Sequence, residues 1–368
     1  MRLVSDTVEG LRPYEPGKPI DEVRRELGIE DPVKLASNEN AWGPSPKVHD
    51  AIKDALVDLH RYPDGGAFHL RGALSSFWDI APERFVFGNG SNELLELIVR
   101  VFVQPGQNVV TSAASFIAYK ICTLAADREF REAPVAAGFG YDLEAILARV
   151  DANTRVIFIA NPNNPTGTCL SAAELEAFIA AVDARCAADP PVIVLDEAYF
   201  EYVDRSDYPD SFALTARRPR TVVTRTFSKA YGLAAMRIGY AVTSPEMANY
   251  LDRVREPFNT NSLAQVAAIA ALADRAHVDA VVAGTRAGRE MLHNGLVERG
   301  FHVVPSQTNF LLVDFAQDCR VLHELLMREG AIARPMSPYG LSTCLRVTIG
   351  LPEENARFLA ALDVVTAR

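Results

Sequence analysis

The sequence predicts an α/β fold: a large, mainly parallel sheet with helices on both faces, followed by a smaller α+β unit. Three observations carry this prediction. Short apolar runs alternate with helix-period stretches through the first two thirds of the chain. Several of those runs are apolar almost throughout, as strands covered on both faces are. After about residue 255 the pattern changes to a long Ala/Val-rich helical stretch, then strand, helix, strand, helix.

The elements follow in order. Pro13, Pro16, Pro19, Pro44 and Pro46 mark an extended arm with turns over residues 1–45. Residues 46–255 form the large unit. Its expected strands are Phe85–Phe87, Asn108–Thr111, Arg155–Ala160, Val192–Leu195, Thr221–Thr224 and Ile238–Val242. Helices are expected between them, as over Glu93–Phe102, where Leu94, Leu97, Ile98 and Val101 recur at helical spacing, and over Ala172–Cys186. Residues 256–368 form the smaller unit, against which the arm is expected to pack. It reads as one helical stretch over Ala264–Arg299, a strand at Asn309–Phe315, a helix at Arg320–Arg328, a strand at Cys344–Ile349 and a helix at Pro352–Thr366.

Composition narrows the function. The chain has 368 residues, enough for two units sharing a large core, and a net charge of −10. An acidic balance argues against a nucleic-acid partner, although a local basic pocket for a small phosphate fits it. No apolar run approaches the roughly 18–20 residues that span a bilayer. The first ten residues, with Asp6 and Glu9, do not read as a signal peptide. Five scattered cysteines without a CxxC pair read as reduced thiols, so a cytoplasmic protein is expected. Lysine occurs only at positions 18, 34, 47, 53, 120 and 229, which leaves lysine-dependent chemistry few candidates.

In open α/β sheets ligands bind beyond the carboxyl ends of strands, so the polar residues there are the candidates for chemistry. The Val192–Leu195 run ends in Asp196-Glu197-Ala198-Tyr199. A carboxylate there caps a helix, joins a core ion pair, or meets a buried cation such as a metal or a protonated pyridine nitrogen. Arg155–Ala160 ends in Asn161-Pro162-Asn163-Asn164-Pro165-Thr166-Gly167, a rigid loop carrying fixed amide donors. Thr221–Thr224 leads into Thr226, Ser228 and Lys229, with Arg237 close behind. Hydroxyls around a lysine and an arginine suit a phosphate dianion beside an amine. Phe85–Phe87 leads into Gly88-Asn89-Gly90-Ser91-Asn92 at a helix start, where free N–H groups favour an anion. A lysine, a carboxylate, a tyrosine, an asparagine and a phosphate cup together suit pyridoxal 5′-phosphate (PLP). The seven histidines show no HExxH pairing, so no metal is expected, and no GxSxG elbow occurs.

With these residues in place, the chain resembles the histidinol-phosphate aminotransferase family, fold-type I PLP-dependent enzymes. The matching stretches are LRPYEPGKP (11–19), KLASNENAWGPSP (34–46), RYPDGG (61–66), GNGSNELLEL (88–97), NPNNPTG (161–167), DEAYFEY (196–202), TFSKAYGLAAMRIGY (226–240) and LRVTIG (345–350). The resemblance implies that Lys229 attaches PLP covalently and moves the substrate proton, and that Asp196 pairs the protonated ring nitrogen. It implies that Tyr199 and Asn164 contact the ring oxygen and Phe116 stacks on the ring, where the family often has tyrosine. Ser91, Asn92, Thr226, Ser228 and Arg237 would cup the phosphate. Tyr62 would reach that phosphate from a neighbouring subunit, which implies a homodimer with shared sites. Arg346 would clamp a substrate carboxylate or phosphate, with Tyr14, Asn38 and Arg334 at the substrate end. Trp42 stands where the family often has leucine, and is expected to approach the cleft.

The reaction so implied is transfer of the amino group of L-histidinol phosphate to 2-oxoglutarate. An aromatic amino-acid aminotransferase shares every cofactor residue, and a threonine-phosphate decarboxylase shares the taste for a phosphorylated amine. A transcription regulator with an aminotransferase-like domain would need a DNA-binding domain before residue 11.

Overall fold

The structure, a computed structural model, describes residues 3–11, 13 and 17–367. The N-terminal segment carries α1 (Asp6–Glu9), α2 (Ile20–Leu27) and β1 (Val33–Lys34). There follow α3 (Pro46–Ala55), α4 (Phe68–Trp78), β2 (Phe85–Gly88), α5 (Ser91–Phe102), β3 (Asn108–Ser112), α6 (Ala118–Ala125), β4 (Glu129–Ala133) and α7 (Leu143–Arg149). The sheet is completed by β5 (Thr154–Ala160), α8 (Ala172–Arg185), β6 (Val192–Asp196), α9 (Ser211–Arg217), β7 (Thr221–Thr226), β8 (Gly239–Val242) and α10 (Pro245–Val254). Beyond it lie α11 (Ser262–Leu272), α12 (Arg275–Glu298), β9 (His302–Val303), β10 (Phe310–Asp314), α13 (Cys319–Arg328), β11 (Ala331–Ile332), β12 (Arg334–Met336), β13 (Leu341–Thr348) and α14 (Pro352–Thr366).

Seven strands form the large sheet in the order β2-β8-β7-β6-β5-β3-β4. Only β8 runs against its neighbours, so the carboxyl ends of the other six share one edge. The inner strands are buried at every position of β3, β6 and β7, as their apolar sequences require. One apolar cluster covers one face through Leu94, Ile98 and Val99 of α5; another covers the opposite face through Leu175, Phe178 and Val182 of α8. The second sheet, β12-β13-β10-β9, is antiparallel and packs against α12, α13 and α14.

The N-terminal segment ties into this second unit. β1 pairs in parallel with β11, matching Val33 with Ala331. The Thr348 N–H then donates to the Leu35 carbonyl (2.8 Å) and the Asn38 N–H to Thr348 Oγ1 (2.9 Å).

Two expectations change. The single helical stretch over Ala264–Arg299 is two helices that part at Ala273 and Asp274. α11 lies on α3 and α4 of the first unit, burying Ala264, Ala267, Ala268 and Ala271, whereas α12 packs on α14 and β9. A straight helix cannot serve both surfaces, and the Asp274 carboxylate at the break accepts from Ser45 Oγ and pairs with Lys47 (3.4 Å). Strand β4 was not foreseen. It is an edge strand bearing Glu129, Arg131 and Glu132, and charge on an edge hides a strand's apolar pattern.

Candidate active site

A cavity of about 270 Å³ opens at the shared strand edge, between the large sheet and the second unit. Each strand end delivers a side chain. The turn after β2 starts α5 with Ser91 and Asn92, the segment after β3 brings Phe116, and the loop after β5 brings Asn164. Asp196 and Tyr199 come from the end of β6, and Thr226, Ser228 and Lys229 from the end of β7. Arg237 follows in the left-handed region (φ 58°). Arg334 and Arg346, register partners on β12 and β13, enter from the second unit, and Asn38 from the N-terminal segment.

The cup is built for an anion. Gly90 precedes α5 at φ 73° with no side chain capping the first N–H groups, and a Cβ there would lie 2.5 Å from Arg237 Nη2. The Arg237 guanidinium donates to the Asn89 carbonyl (3.2 Å) and reaches Ser228 Oγ (3.5 Å). The Ser228 N–H and the Thr226 hydroxyl complete the network, at 3.1 and 3.0 Å. Helix dipole, free amides, hydroxyls and one guanidinium meet at this spot, as a phosphate requires.

The floor holds a buried carboxylate. Asp196 is 4% exposed and accepts from the Tyr119 hydroxyl (2.8 Å) and the Thr224 hydroxyl (3.3 Å). No lysine or arginine nitrogen lies within ion-pair distance of it among the described residues, and burial raises its carboxyl above the usual range. Such a group calls for a cationic partner from a ligand. A protonated pyridine ring nitrogen is one, so the residues present fit PLP: the carboxylate for the ring, the cup for the phosphate and a lysine between them.

Lys229 is that lysine. Burial, with Arg346 second, lowers its amine to about 8. Its Nζ donates to the main-chain carbonyl of Asn38 (3.1 Å). The Tyr199 hydroxyl accepts from Asn38 Nδ2 (2.9 Å) and is pushed up to about 12 by burial. Arg346 donates through Nη1 to Asn164 Oδ1 (2.6 Å) and through Nη2 to the Ala36 carbonyl (3.0 Å). Asn164 therefore keeps its amide N–H groups for a ligand oxygen.

Thirteen sequence-derived residues thus line one cavity: Asn38, Ser91, Asn92, Phe116, Asn164, Asp196, Tyr199, Thr226, Ser228, Lys229, Arg237, Arg334 and Arg346. Tyr62 does not. It is 83% exposed and stacks on Phe258, with ring centroids 4.9 Å apart. Tyr14 lies outside the described residues. Trp42 departs from its expected place: the indole lies on α12, where a Cβ on Gly284 would come within 2.8 Å of it, and it does not line the cavity. Tyr119 and Asn309 were missed. Tyr119 sits among apolar residues of α6 and reads as core, and Asn309 reads as a plain strand start; neither carried a sequence signal beyond being polar beside apolar neighbours.

Known proteins agree with this geometry. Residues 30–362 match the model of aminotransferase class I and II, and the chain belongs to that class of PLP-dependent enzymes. It is 50% identical over 363 residues to a histidinol-phosphate aminotransferase of Anaeromyxobacter sp., covering 98% of each chain. It is 48% identical to histidinol-phosphate aminotransferase 2 of Pseudomonas aeruginosa, covering all of this chain and 98% of the relative. The histidinol-phosphate aminotransferase of Sinorhizobium meliloti, solved in complex with pyridoxal-5′-phosphate, superposes with a TM-score of 0.89 at 30% identity, over 100% of this chain and 98% of the other. Within its class the chain is a member of the histidinol-phosphate aminotransferase family, and the expected fold class, fold-type I, is borne out.

Proposed function

We propose that this enzyme transfers the amino group of L-histidinol phosphate to 2-oxoglutarate, giving imidazole acetol phosphate and L-glutamate, as in histidine biosynthesis. One observation carries the reading. Once the cup at Ser91 and Arg237 is given to the cofactor phosphate, a second cationic pair, Arg334 and Arg346, still lines the cavity from the other unit. A donor with its own phosphate and an acceptor with two carboxylates both need that pair.

When bound, PLP supplies a ring that draws electrons away from the substrate Cα. With PLP in this cavity, Asp196 would hold the proton at the ring nitrogen, Asn164 and Tyr199 would hold the ring oxygen, and Phe116 would cover the ring face. Lys229 would anchor the cofactor. Once freed, its Nζ, neutral in part near pH 8, would be the base for the Cα proton and the group that carries that proton across the cleft. Arg346 orients the substrate anion so that the Cα proton faces Nζ.

The same reading makes the enzyme a cytoplasmic homodimer in which Tyr62 enters the partner's phosphate cup. Support comes from the exposed apolar side chains of this segment: Val57, Leu59, Tyr62 and Phe68 are 60–83% exposed. Among the described residues no helix is long and apolar enough to cross a membrane.

The test is a half-reaction. The PLP-loaded protein is mixed with L-histidinol phosphate without oxo acid, and the visible absorption of the cofactor is followed. We expect the band to disappear without release of carbon dioxide and to return on adding 2-oxoglutarate. An unchanged band removes the assignment; phenylalanine, tyrosine and threonine phosphate are then tried on the same site.

A further inference from the structure

We propose that Asn309 is a positioning residue: it fixes the main-chain carbonyl of Asn38 as the resting acceptor for the Lys229 amine whenever that amine is not bonded to the cofactor. The inference rests on the reading of Lys229 as the cofactor lysine.

The Asn38 carbonyl has two donors, Lys229 Nζ at 3.1 Å and Asn309 Nδ2 at 3.2 Å. The same Nδ2 also donates to the Glu39 carbonyl at 3.2 Å. One amide group therefore bridges two successive carbonyls and fixes the plane of the peptide between them. Asn38 itself is held at every polar atom. Its N–H donates to Thr348 Oγ1, its Oδ1 accepts from that hydroxyl at 3.2 Å, and its Nδ2 donates to Tyr199. It adopts the left-handed region at φ 53°, which aims the carbonyl away from the run of the chain.

Asn309 shows what it is there for by what it leaves undone. It is 2% exposed and directly precedes β10, next to the fully buried Phe310. Its Oδ1 is buried without a hydrogen-bond partner. A buried amide with an unpaired oxygen is destabilising, and an apolar side chain would suit that packing better. A flipped amide would place Oδ1 against two carbonyl oxygens, so the orientation is fixed by its neighbours. What the position gains is the donor pair.

The chemistry explains why a carbonyl serves. An amine that donates to a carbonyl keeps its lone pair free, and the carbonyl has no charge with which to hold it as an ammonium. Around Lys229, Glu39 from the N-terminal segment and Asp196 from β6 favour the charged form, whereas Arg346 from β13 and Arg237 oppose it. A neutral acceptor aims the amine without tipping that balance.

The test uses Asn309→Leu, which fills the space without donors, and Asn309→Ala, which folds where leucine crowds. The first readout needs no substrate. In cofactor-free protein, acetic anhydride labelling of Lys229 is followed by mass spectrometry across pH, with the half-exposed Lys120 as internal reference. We expect Lys229 to label at least fivefold faster in both variants at a given pH. In the PLP-loaded variants, kcat is expected to fall about tenfold at unchanged KM, and the isotope effect with an α-deuterated donor to rise. Unchanged labelling and an unchanged isotope effect, with only a lower Tm, would overturn the proposal and leave Asn309 a packing residue. Altered labelling in the variants, with no turnover of histidinol phosphate by the PLP-loaded parent, would refute the substrate assignment while this inference stands.

Discussion

Glu197→Gln should be among the most damaging single-atom exchanges in this chain, although Glu197 does not line the cavity. The Arg225 side chain is 3% exposed and that of Glu197 is 0% exposed. Arg225 donates through Nε and Nη2 to one carboxylate oxygen, at 2.9 and 2.7 Å. Its guanidinium lies over three rings, 3.5 Å from the Phe200 centroid, 4.0 Å from Phe212 and 4.5 Å from Trp78. Burial opposes the Arg225 charge, and Glu197 more than restores it, so its pKa is raised. At 2.7 Å the attraction is about 6 kcal/mol at an effective dielectric of 20, before desolvation. The glutamine variant keeps an acceptor for Tyr208 but leaves the guanidinium charged in an aromatic box. Breaking such a pair costs about 3–5 kcal/mol, which for this chain length lowers Tm by about 5 °C. Calorimetry on the PLP-loaded protein at fixed concentration measures it. The double variant Glu197→Gln with Arg225→Met should recover most of the loss, because no charge is then stranded. A single variant within about 1 kcal/mol of the parent refutes the reasoning, since an unpaired charge there would then cost nothing.

Three further outcomes follow from the same structure. Burial raises the Glu201 carboxyl to about 7, so its contribution to stability is complete below pH 4.5 and lost as pH rises through 7; Glu201→Gln should gain up to about 3 kcal/mol over the parent at pH 8 and little at pH 4.5, read by denaturant melts at both pH values. Arg346→Lys loses the planar fork that spans Asn164 and Ala36, and should cut kcat/KM roughly hundredfold for both half-reactions, by about 3 kcal/mol. Gly90→Ala forces an alanine into an extended positive-φ conformation that favours glycine, at a cost of about 1–3 kcal/mol, and pushes the Arg237 guanidinium aside; PLP titration of the cofactor-free variant should give an affinity at least tenfold weaker, and an unchanged affinity would take Arg237 out of the phosphate cup.

Much of the fold and site is legible because burial leaves a simple pattern. Val192–Leu195 and Thr221–Thr224 are covered on both faces, so their apolar runs announce strands, and the polar residues that interrupt them, Asp196 and Thr226, mark where the sheet ends and a ligand begins. Patterns fail where one residue serves two masters. Glu129 and Arg131 sit on a strand but face water at the sheet's edge, and their charges mask its period. Ala264–Arg299 has one unbroken helical period, yet its two halves pack on different units, which only tertiary contacts record. Trp42 was expected at the cleft because it is a bulky ring where the resembled family often has leucine; its direction depends on Gly284, more than 200 positions away, whose missing Cβ makes the space. Tyr119 hides for the opposite reason, a buried aromatic among apolar neighbours whose hydroxyl alone has a chemical role.

The hydrogen bond between Asn38 and Thr348 joins positions 310 residues apart, and the Asn38 end lies beside the lysine. A ribosome adding roughly 5–20 residues per second needs about 15–60 s to make that stretch. During that interval the nascent chain gains Ser91 and Asn92, then Asp196, then Lys229 and Arg237, but Asn38 still lacks its Thr348 partner and Arg346 comes only at the end. The large sheet can form early, yet it stays unable to aim an amine at a substrate. Arg346 and the Thr348 partner of Asn38 join the site only once β13 is made and the segment around Asn38 pairs with it. A product that stops short of β13 would carry the lysine without Arg346 and without the Thr348 partner that holds Asn38.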